Sequence, residues 1–243
     1  MSEVQRFVYG RRRGHKLRQG RLQRLEELLP CLELSLPETP DAPVQPLGLF
    51  PPGTREVWLE IGFGAGEHLI AQAKAHPEIG FIGCEPFING VASLVQHAGE
   101  EDLGNIRVYR DDARLLLHRL APASIGRMFI LYPDPWPKTR HHKRRIVGPS
   151  TLDRFAAVLA DGAELRLATD HADYARWMLR SLTSHRAFRW LAKGTADWRD
   201  RPVDWPATRY EAKALRAGRK PFYFRFERVA RPASGAGNGA DWP

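Results

Sequence analysis

The sequence predicts an α/β fold built on a doubly wound, mostly parallel sheet with an antiparallel edge strand. Between residues 57 and 182, short apolar runs alternate with segments of helical apolar spacing, and the first run ends in a glycine-rich turn. An aromatic run near the end of the chain can add the antiparallel strand that such sheets often carry. At 243 residues, the chain has room for one such domain with extensions.

The strands and helices follow one another in chain order. Residues 57–61 form an apolar run stopped by glycines, and residues 67–76 place Leu69, Ile70 and Ala73 at helical spacing. The same reasoning predicts further strands at 81–84, 106–109, 128–132, 164–168 and 222–226. It predicts further helices at 87–97, 113–120, 151–159 and 172–182.

The flanking segments differ in composition from the main domain, which we place at residues 54–231. Residues 1–36 are predicted to form a basic N-terminal arm, because the first 25 residues carry eight cations and a single acid. Residues 37–53 contain six prolines and are predicted to form an extended linker. The glycine-rich tail at 232–243 is predicted to be disordered.

The overall charge, the hydrophobic pattern and the cysteine content limit the partners, the location and the metal sites that can be expected. The formal net charge of +9 favours a polyanionic partner. No window approaches the roughly 20 apolar residues of a membrane-spanning helix, and the Arg-rich start lacks an apolar signal region, so we expect a cytoplasmic protein that does not bind membranes. Cys31 and Cys84 form no CxxC or Cys/His cluster, so no metal site is expected. Nothing in the sequence indicates an obligate protein partner.

The stretch "LEIGFGAGEHL" places Gly62, Gly64 and Gly66 directly after the first strand, where a backbone without Cβ can approach a ligand. The spacing is GxGxG, whereas dinucleotide-binding turns follow GxGxxG. Glu60 would repel a pyrophosphate but attract a ligand that carries an ammonium and a sulfonium group. S-adenosylmethionine is such a ligand.

Two further acids follow the next two strands. Glu85 stands where a carboxylate meets ribose hydroxyls in such folds, and Asp112 is placed to accept a hydrogen bond from an adenine amino group. Each acid could instead have a local role: Glu60 can cap a loop, Glu85 can begin a turn and Asp112 can cap the next helix. Because the three acids end three successive strands, the cofactor site is the favoured interpretation.

The stretch "LYPDPWPKTRHHKRR" joins the fourth strand to a dense basic cluster. Its prolines restrict the backbone around Asp134 and Trp136. An indole can stack on a nucleobase, and a carboxylate can accept from the N1–H and amino edge of guanine, so this pair predicts a guanine pocket. The same residues could also be a turn aspartate, a core tryptophan and a solvated charged face. The cations that suit phosphate contacts are Lys138, Arg140, Lys143, Arg144 and Arg145.

Two more polar groups lie on the same side of the predicted sheet. Asp170 ends the fifth strand, and Thr208 with Glu211 forms an S/T-x-x-E pattern. Asp170 could be an N-cap, and from spacing alone the Thr208–Glu211 pattern is interpreted as a capping box for a helix that Gly218 closes.

Taken together, these motifs resemble the bacterial tRNA (guanine-N(7)-)-methyltransferases, which are Rossmann-like enzymes dependent on S-adenosylmethionine. The resemblance runs from "RFVYGRRRG" through "LEIGFGAG", "PDPWPKTRHHKRR" and "LATDHADYA" to "TRYEAKALRAGRKPFYFRFERV". Its most specific part is "PDPWPK" followed by "RHHKRR". The resemblance implies methylation of guanine 46 in the variable loop of tRNA.

The resemblance also implies roles for the matching residues. Asp134 is implied to be the catalytic residue. The residues implied to bind the cofactor, beside the turn glycines Gly62, Gly64 and Gly66, are Glu60, Glu85, Asp112 and Asp134. The residues implied to bind the substrate are Lys138, Asp170, Thr208, Arg209, Tyr210 and Glu211. For the Thr208 segment, the resemblance favours substrate binding over a capping role.

The implied reaction needs little acid–base chemistry. Guanine N7 has an in-plane lone pair and no proton, so alignment, with a carboxylate to offset the developing charge, is sufficient. A nicotinamide oxidoreductase is the rival enzyme, and the GxGxG spacing disfavours it. A tRNA-binding module with a vestigial cofactor pocket and a methyltransferase that acts on another RNA both stay open as functions of the chain.

Overall fold

The computed structural model describes residue 9, residues 12–39 and residues 42–232, and these contain a seven-stranded sheet. The strands are β1 (Glu56–Ile61), β2 (Ile79–Cys84), β3 (Ile106–Tyr109), β4 (Ile125–Leu131), β5 (Leu159–Thr169), β6 (Phe188–Trp190) and β7 (Phe222–Arg228). Their order is β3-β2-β1-β4-β5-β7-β6, with parallel pairing from β3 through β5 and antiparallel pairing at β5–β7 and β7–β6. The predicted fold class is confirmed.

The helices of the described residues flank this sheet. They are α1 (Gln19–Leu32), α2 (Glu67–Ala75), α3 (Ile88–Glu100), α4 (Ala113–Arg119), α5 (Pro149–Val158), α6 (Ala172–Thr183), α7 (Ala196–Arg199) and α8 (Arg209–Arg216), with 3₁₀ turns at Pro46–Leu49 and Thr139–Arg144. The predicted strands and helices are present with shifted ends. The largest shift is in β5, which begins at Leu159 because that residue already pairs with Ile125 of β4.

Strand alternation divides the apolar residues between two cores, one on each face of the sheet. Val57 and Leu59 of β1 belong to the core that also contains Leu116 of α4 and Phe155 of α5. Trp58, between them, belongs to the core that contains residues of α1, α2 and α3. Helices therefore cover both faces, as a doubly wound sheet requires.

The segment predicted as the basic arm includes a packed helix. Leu25, Leu29 and Leu32 recur at helical spacing along α1 and are buried in the same core as Val91 and Val95 of α3. Since α1 buries this apolar face, the part of the arm from Gln19 onward is docked on the domain. Residues 1–8, 10 and 11 of the arm lie outside the described part of the chain.

The proline-rich segment predicted as an extended linker contacts the domain closely. The Val44 N–H donates to the Arg119 carbonyl at 2.6 Å. The Phe50 ring packs so closely on Gly80 that a Cβ there would lie 2.6 Å from it. The two buried apolar side chains between the prolines explain why this segment is packed. Apart from Pro232, the predicted tail lies outside the described residues.

The strand order reverses between β1 and β4, where the connection from β3 crosses to the other side of β1. Open α/β sheets bind ligands in the crevice that such a reversal leaves at the carboxyl ends of the strands. Across the described residues, none of the helices combines the length and the apolar character needed to cross a membrane.

The tightest backbone approach at this crevice predicts the effect of one substitution. We expect Gly90→Ala to lower the free energy of unfolding by about 2 kcal/mol, because a Cβ on Gly90 would lie 2.0 Å from the Gly64 carbonyl oxygen. Gly104→Ala is the control, since a Cβ there meets nothing within 4 Å. Urea unfolding measures both variants, and equal stabilities would contradict the close approach.

Candidate active site

A cavity of 370 Å³ opens at the carboxyl ends of β1, β2 and β4 and at the residues that follow β3. The residues singled out from the sequence that line its wall are Gly62, Gly64, Glu85, Asp112, Asp134, Trp136, Arg144 and Tyr210. The other predicted site residues are not among those that line it: Glu60, Gly66, Lys138, Asp170, Thr208, Arg209 and Glu211. The structure thus gathers residues from distant parts of the sequence at one place.

The glycine turn forms one wall of the cavity. Gly62, Gly64 and Gly66 all have positive φ, at +77°, +61° and +89°, a conformation that residues with a side chain rarely adopt. The Gly64 N–H donates to Glu85 Oε2 at 2.9 Å, and the Phe87 N–H donates to Glu85 Oε1 at 3.0 Å. The Glu85 carboxylate therefore ties the turn to the start of α3.

The Glu85 carboxyl is held among other acids. Burial raises its pKa; the two N–H donors oppose the rise, and the nearby Asp134 and Glu60 carboxylates add to it. Repulsion of this kind between carboxylates is relieved by a positively charged ligand.

Glu60 lies deeper, beneath the glycine turn. Its side chain is buried, and Oε2 is 2.8 Å from Nδ1 of the buried His68 on α2. The position at the end of β1 agrees with the sequence interpretation, but the histidine partner was not anticipated.

Asp112 has a local role as well as a place in the cavity wall. It is the N-cap of α4, with Oδ1 accepting from the Arg114 N–H at 3.0 Å. The Arg114 guanidinium also donates to both carboxylate oxygens, at 3.2 and 3.3 Å. The helix-capping role is therefore present in the structure, and both oxygens of Asp112 have donors.

The Asp134–Trp136 loop leaves β4 in a constrained conformation. Tyr132 and Trp136 have φ of +52° and +43°, which is uncommon for residues other than glycine. Asp134 stands exposed at the rim of the cavity. The surrounding walls nevertheless exclude some water from its carboxyl, and this loss of hydration raises the pKa of that group.

One cation of the basic cluster is buried, and this corrects its assignment as a phosphate contact. Arg145 is 2% exposed. Its Nε donates to the Pro135 carbonyl at 2.9 Å, and a terminal nitrogen donates to Asp173 Oδ2 of α6 at 2.5 Å. The guanidinium also lies over the Tyr174 and Trp177 rings, at 4.8 and 5.1 Å from their centres. Arg145 therefore fastens the loop to α6.

The neighbouring Arg144 does face the cavity. Its guanidinium carbon lies 4.9 Å from the centre of the Trp136 ring and 5.1 Å from that of Tyr9. Tyr9 belongs to the "RFVYGRRRG" stretch, and the sequence of that stretch does not predict that Tyr9 lies beside Arg144. The other cations of the cluster, Lys138, Arg140 and Lys143, are exposed.

Asp170 pairs with a cation and does not act as an N-cap. The Arg219 Nε donates to Asp170 Oδ2 at 2.7 Å. His171 caps α6 instead, with its ring Nδ1 accepting from the Tyr174 N–H at 3.3 Å. The N-cap alternative for Asp170 is therefore wrong, because α6 begins at Ala172, as predicted, and His171 occupies the cap position.

Thr208 is the N-cap of α8. Thr208 Oγ1 accepts from the Glu211 N–H at 3.2 Å. The Glu211 carboxylate accepts from the Tyr223 hydroxyl at 2.7 Å and pairs with Arg201 at 3.1 Å, which leaves the capping box only half formed.

Between these two buried residues, Arg209 and Tyr210 are exposed. The Arg209 Nε lies 3.3 Å from Glu67 Oε1 at the start of α2. Tyr210 reaches the glycine turn, since a Cβ on Gly64 would lie 2.9 Å from its ring. The start of α8 therefore lies against the glycine-turn wall of the cavity.

The cavity suits a cationic ligand with a flat ring system. Its lining contains four carboxylates, from Glu85, Asp111, Asp112 and Asp134, against two guanidinium groups, from Arg114 and Arg144, while Trp136 and Tyr210 offer aromatic surfaces. The glycine turn leaves backbone groups accessible where side chains would crowd. Within the described part of the chain, no group of three or more His, Cys, Asp and Glu side chains could hold a metal ion.

Comparison with known sequences identifies close relatives over nearly the whole chain. A family model described as "Putative methyltransferase" matches residues 54–224. A tRNA (guanine-N(7)-)-methyltransferase from Rhodospirillum rubrum is 50% identical over 248 residues, which cover 99% of this chain and 97% of the relative. A protein of the same name from Paramagnetospirillum magneticum is 51% identical over 231 residues, which cover 95% of each chain.

Solved structures share the fold at low sequence identity. The antibiotic-resistance methyltransferase Kmr, at 17% identity and a TM-score of 0.51, aligns over 74% of this chain and 90% of its own. An rRNA methylase from Streptococcus thermophilus, at 12% identity and a TM-score of 0.50, aligns over 73% of this chain and 89% of its own. These two likenesses concern the fold alone.

Because Arg145 is buried, we expect its partner Asp173 to contribute strongly to the stability of the fold. We expect Asp173→Ala to lower the free energy of unfolding by about 2 kcal/mol, because it removes a charge-assisted hydrogen bond from a buried cation. Asp153→Ala is the control, since the Asp153 side chain is 89% exposed beside His185 and should change stability by less than about 0.5 kcal/mol. Urea unfolding at neutral pH compares the two, and an equal effect would contradict the role given to Arg145.

The Arg145–Asp173 pair also determines the direction in which stability changes with pH. Arg145 lowers the pKa of Asp173, so this contribution is present above the unfolded-state pKa and is lost as the pH falls through the lowered folded-state value. The stability difference between Asp173→Ala and the wild type should therefore shrink below about pH 4.

Proposed function

This chain belongs to the bacterial tRNA (guanine-N(7)-)-methyltransferase family, and we propose that it transfers the methyl group of S-adenosylmethionine to N7 of guanine 46 in the variable loop of tRNA. The observation that carries the proposal is the position of the Asp134–Trp136 loop, which faces the glycine turn across a single cavity. A methyl donor and an aromatic acceptor can meet there.

The cofactor is S-adenosylmethionine, which supplies a methyl group on a positively charged sulfur when bound. We propose that Gly62, Gly64 and Gly66 admit it by keeping side chains away from the turn. Carboxylates are proposed to balance its positive charges and to orient it. These carboxylates belong to Glu60, Glu85, Asp112 and Asp134.

The guanine is proposed to lie between Trp136 and the cavity. Trp136 would stack on the base, and Asp134 would accept from its N1–H and amino group. Lys138 is exposed directly after this loop and is proposed to contact the base or a phosphate. Guanine N7 then needs no general base, and Asp134 acts by aligning the base and offsetting the charge that develops on it.

We propose that Asp170 and the start of α8 complete the substrate site. Thr208 and Glu211 are buried in the helix cap, whereas Arg209 and Tyr210 are exposed beside the cavity. Thr208 and Glu211 would therefore hold the helix start in place, and Arg209 and Tyr210 would meet the RNA. The exposed Lys138, Arg140 and Lys143 would contact its backbone phosphates. A tRNA substrate implies that the protein works in the cytoplasm.

The proposal is tested by mapping 7-methylguanosine in tRNA treated with the purified protein, using reduction and strand scission. Scission at position 46 that depends on added S-adenosylmethionine is expected. Scission at another guanine would contradict the assigned position, and methylation of a different RNA in preference to tRNA would contradict the substrate.

A substitution of Asp134 separates catalysis from binding. We expect Asp134→Asn to lower kcat at least about 100-fold, since the variant keeps an acceptor oxygen but loses the charge that offsets the cationic product. Asp153→Asn, at an exposed site on α5, is the matched control. Single-turnover methylation at saturating tRNA gives the result, and an unchanged kcat in Asp134→Asn would refute the catalytic role.

The raised pKa of Asp134 predicts an effect on stability that is opposite in sign to the effect of Asp173. Loss of hydration favours the protonated acid in the folded state, so the ionised side chain opposes folding above its raised pKa. Asp134→Asn should therefore be as stable as the wild type or more stable at neutral pH, and the gap should close below about pH 4. Urea unfolding across this range measures it, and a less stable variant would show that Asp134 has a structural role.

A further inference from the structure

A buried acid–imidazole pair lies beneath the glycine turn. Glu60 is on β1, two residues before Gly62, and His68 is in the first turn of α2. Glu60 Oε2 lies 2.8 Å from His68 Nδ1, and the two side chains are 6% and 2% exposed. At this distance Nδ1–H donates to the carboxylate, since an ionised carboxylate can only accept.

His68 is placed there at some cost. Its Nε2 is buried and has no hydrogen-bond partner among the described residues. A proton on Nε2 would be a buried donor without an acceptor, so the neutral tautomer with hydrogen on Nδ1 fits this position best. In that form the imidazole does not cancel the negative charge of Glu60.

The imidazole is also held sterically. Its ring centre is 4.7 Å from that of Phe129, in an edge-to-face arrangement. Phe129 lies on β4 and is paired with Glu60 in the register of β1 and β4. Phe129 of the neighbouring strand therefore holds the imidazole ring of His68, and that ring in turn holds the Glu60 carboxylate.

The three acids at the strand ends differ in the oxygens they leave available. Both oxygens of Glu85 accept backbone N–H groups, and both oxygens of Asp112 accept from Arg114. For Glu60, no donor among the described residues contacts the second oxygen, Oε1. Glu60 stands directly before Ile61 and Gly62, which line the cavity, although Glu60 is not itself among the lining residues. It is therefore the strand-end acid best able to accept from a ligand's ammonium group.

We propose that His68 is a positioning residue for the cofactor: it holds Oε2 of Glu60 so that Oε1 receives the ammonium group of the methionine part of S-adenosylmethionine. This inference rests on the proposed function, because it assumes that S-adenosylmethionine occupies the cavity. His68 itself touches neither cofactor nor RNA.

Two adenosine ligands that differ in the amino-acid part give the test. S-adenosylhomocysteine carries the ammonium group, whereas 5′-methylthioadenosine lacks the whole amino-acid part. His68→Phe keeps a flat ring but removes the donor, so calorimetry should show at least about tenfold weaker binding of S-adenosylhomocysteine. Binding of 5′-methylthioadenosine should change less than about twofold.

Further variants separate positioning from support of the fold. His68→Asn keeps a side-chain N–H and should recover part of the affinity for S-adenosylhomocysteine; it also gives the comparison if His68→Phe does not fold. Glu60→Gln alone and combined with His68→Phe should bind S-adenosylhomocysteine about equally weakly, because His68 acts only through Glu60. In methylation assays, the KM for S-adenosylmethionine should rise while the KM for tRNA stays the same.

The outcomes are distinct. Equal losses for both ligands would show that His68 merely supports the turn, and unchanged affinity for S-adenosylhomocysteine would show that Glu60 needs no partner; either result overturns the inference. Failure of the wild-type protein to bind S-adenosylhomocysteine would overturn the proposed function, and the inference with it.

Discussion

The conformation of the loop that carries Asp134 depends on one buried cation, Arg145. The loop that carries Asp134 has non-glycine residues with positive φ at Tyr132 and Trp136, and such conformations persist only where surrounding contacts enforce them. Arg145 supplies those contacts by binding the Pro135 carbonyl and the Asp173 carboxylate at once, which the planar fork of a guanidinium allows. The loop that carries Asp134 is therefore fastened to α6.

The second constraint is electrostatic. Glu60, Glu85 and Asp134 lie close enough for the first and last to raise the pKa of the middle one. Ionised carboxylates so arranged oppose folding, and a cationic ligand relieves that cost when it binds. A sulfonium cofactor bound here as proposed would gain part of its affinity from relief of this repulsion.

The alternating strands and helices were predictable from sequence because their signals are local, as the match at Ile106–Tyr109 shows. β6 was missed because its three residues are too few to show a pattern. Site contacts were harder to predict because they join distant residues. Arg145 resembles one more surface cation until α6 brings Asp173 and Tyr174 around it. The His68 partner of Glu60 and the approach of Tyr9 to Arg144 likewise depend on packing that residue spacing does not reveal.

The distribution of carboxylates matches the movement of charge in the reaction. Before methyl transfer the positive charge is on the cofactor, and afterwards it is on the purine ring. Glu60 and Glu85 border the glycine turn, whereas Asp134 stands at the rim beside Trp136. A single acid could balance only one of these two states. With cofactor and guanine bound as proposed, acids at both ends of the cavity would keep the positive charge balanced throughout the transfer, so the barrier would contain little cost from separating charges. Because guanine N7 has no proton to lose, the site can devote its ionisable groups to this balance, and a general base is unnecessary.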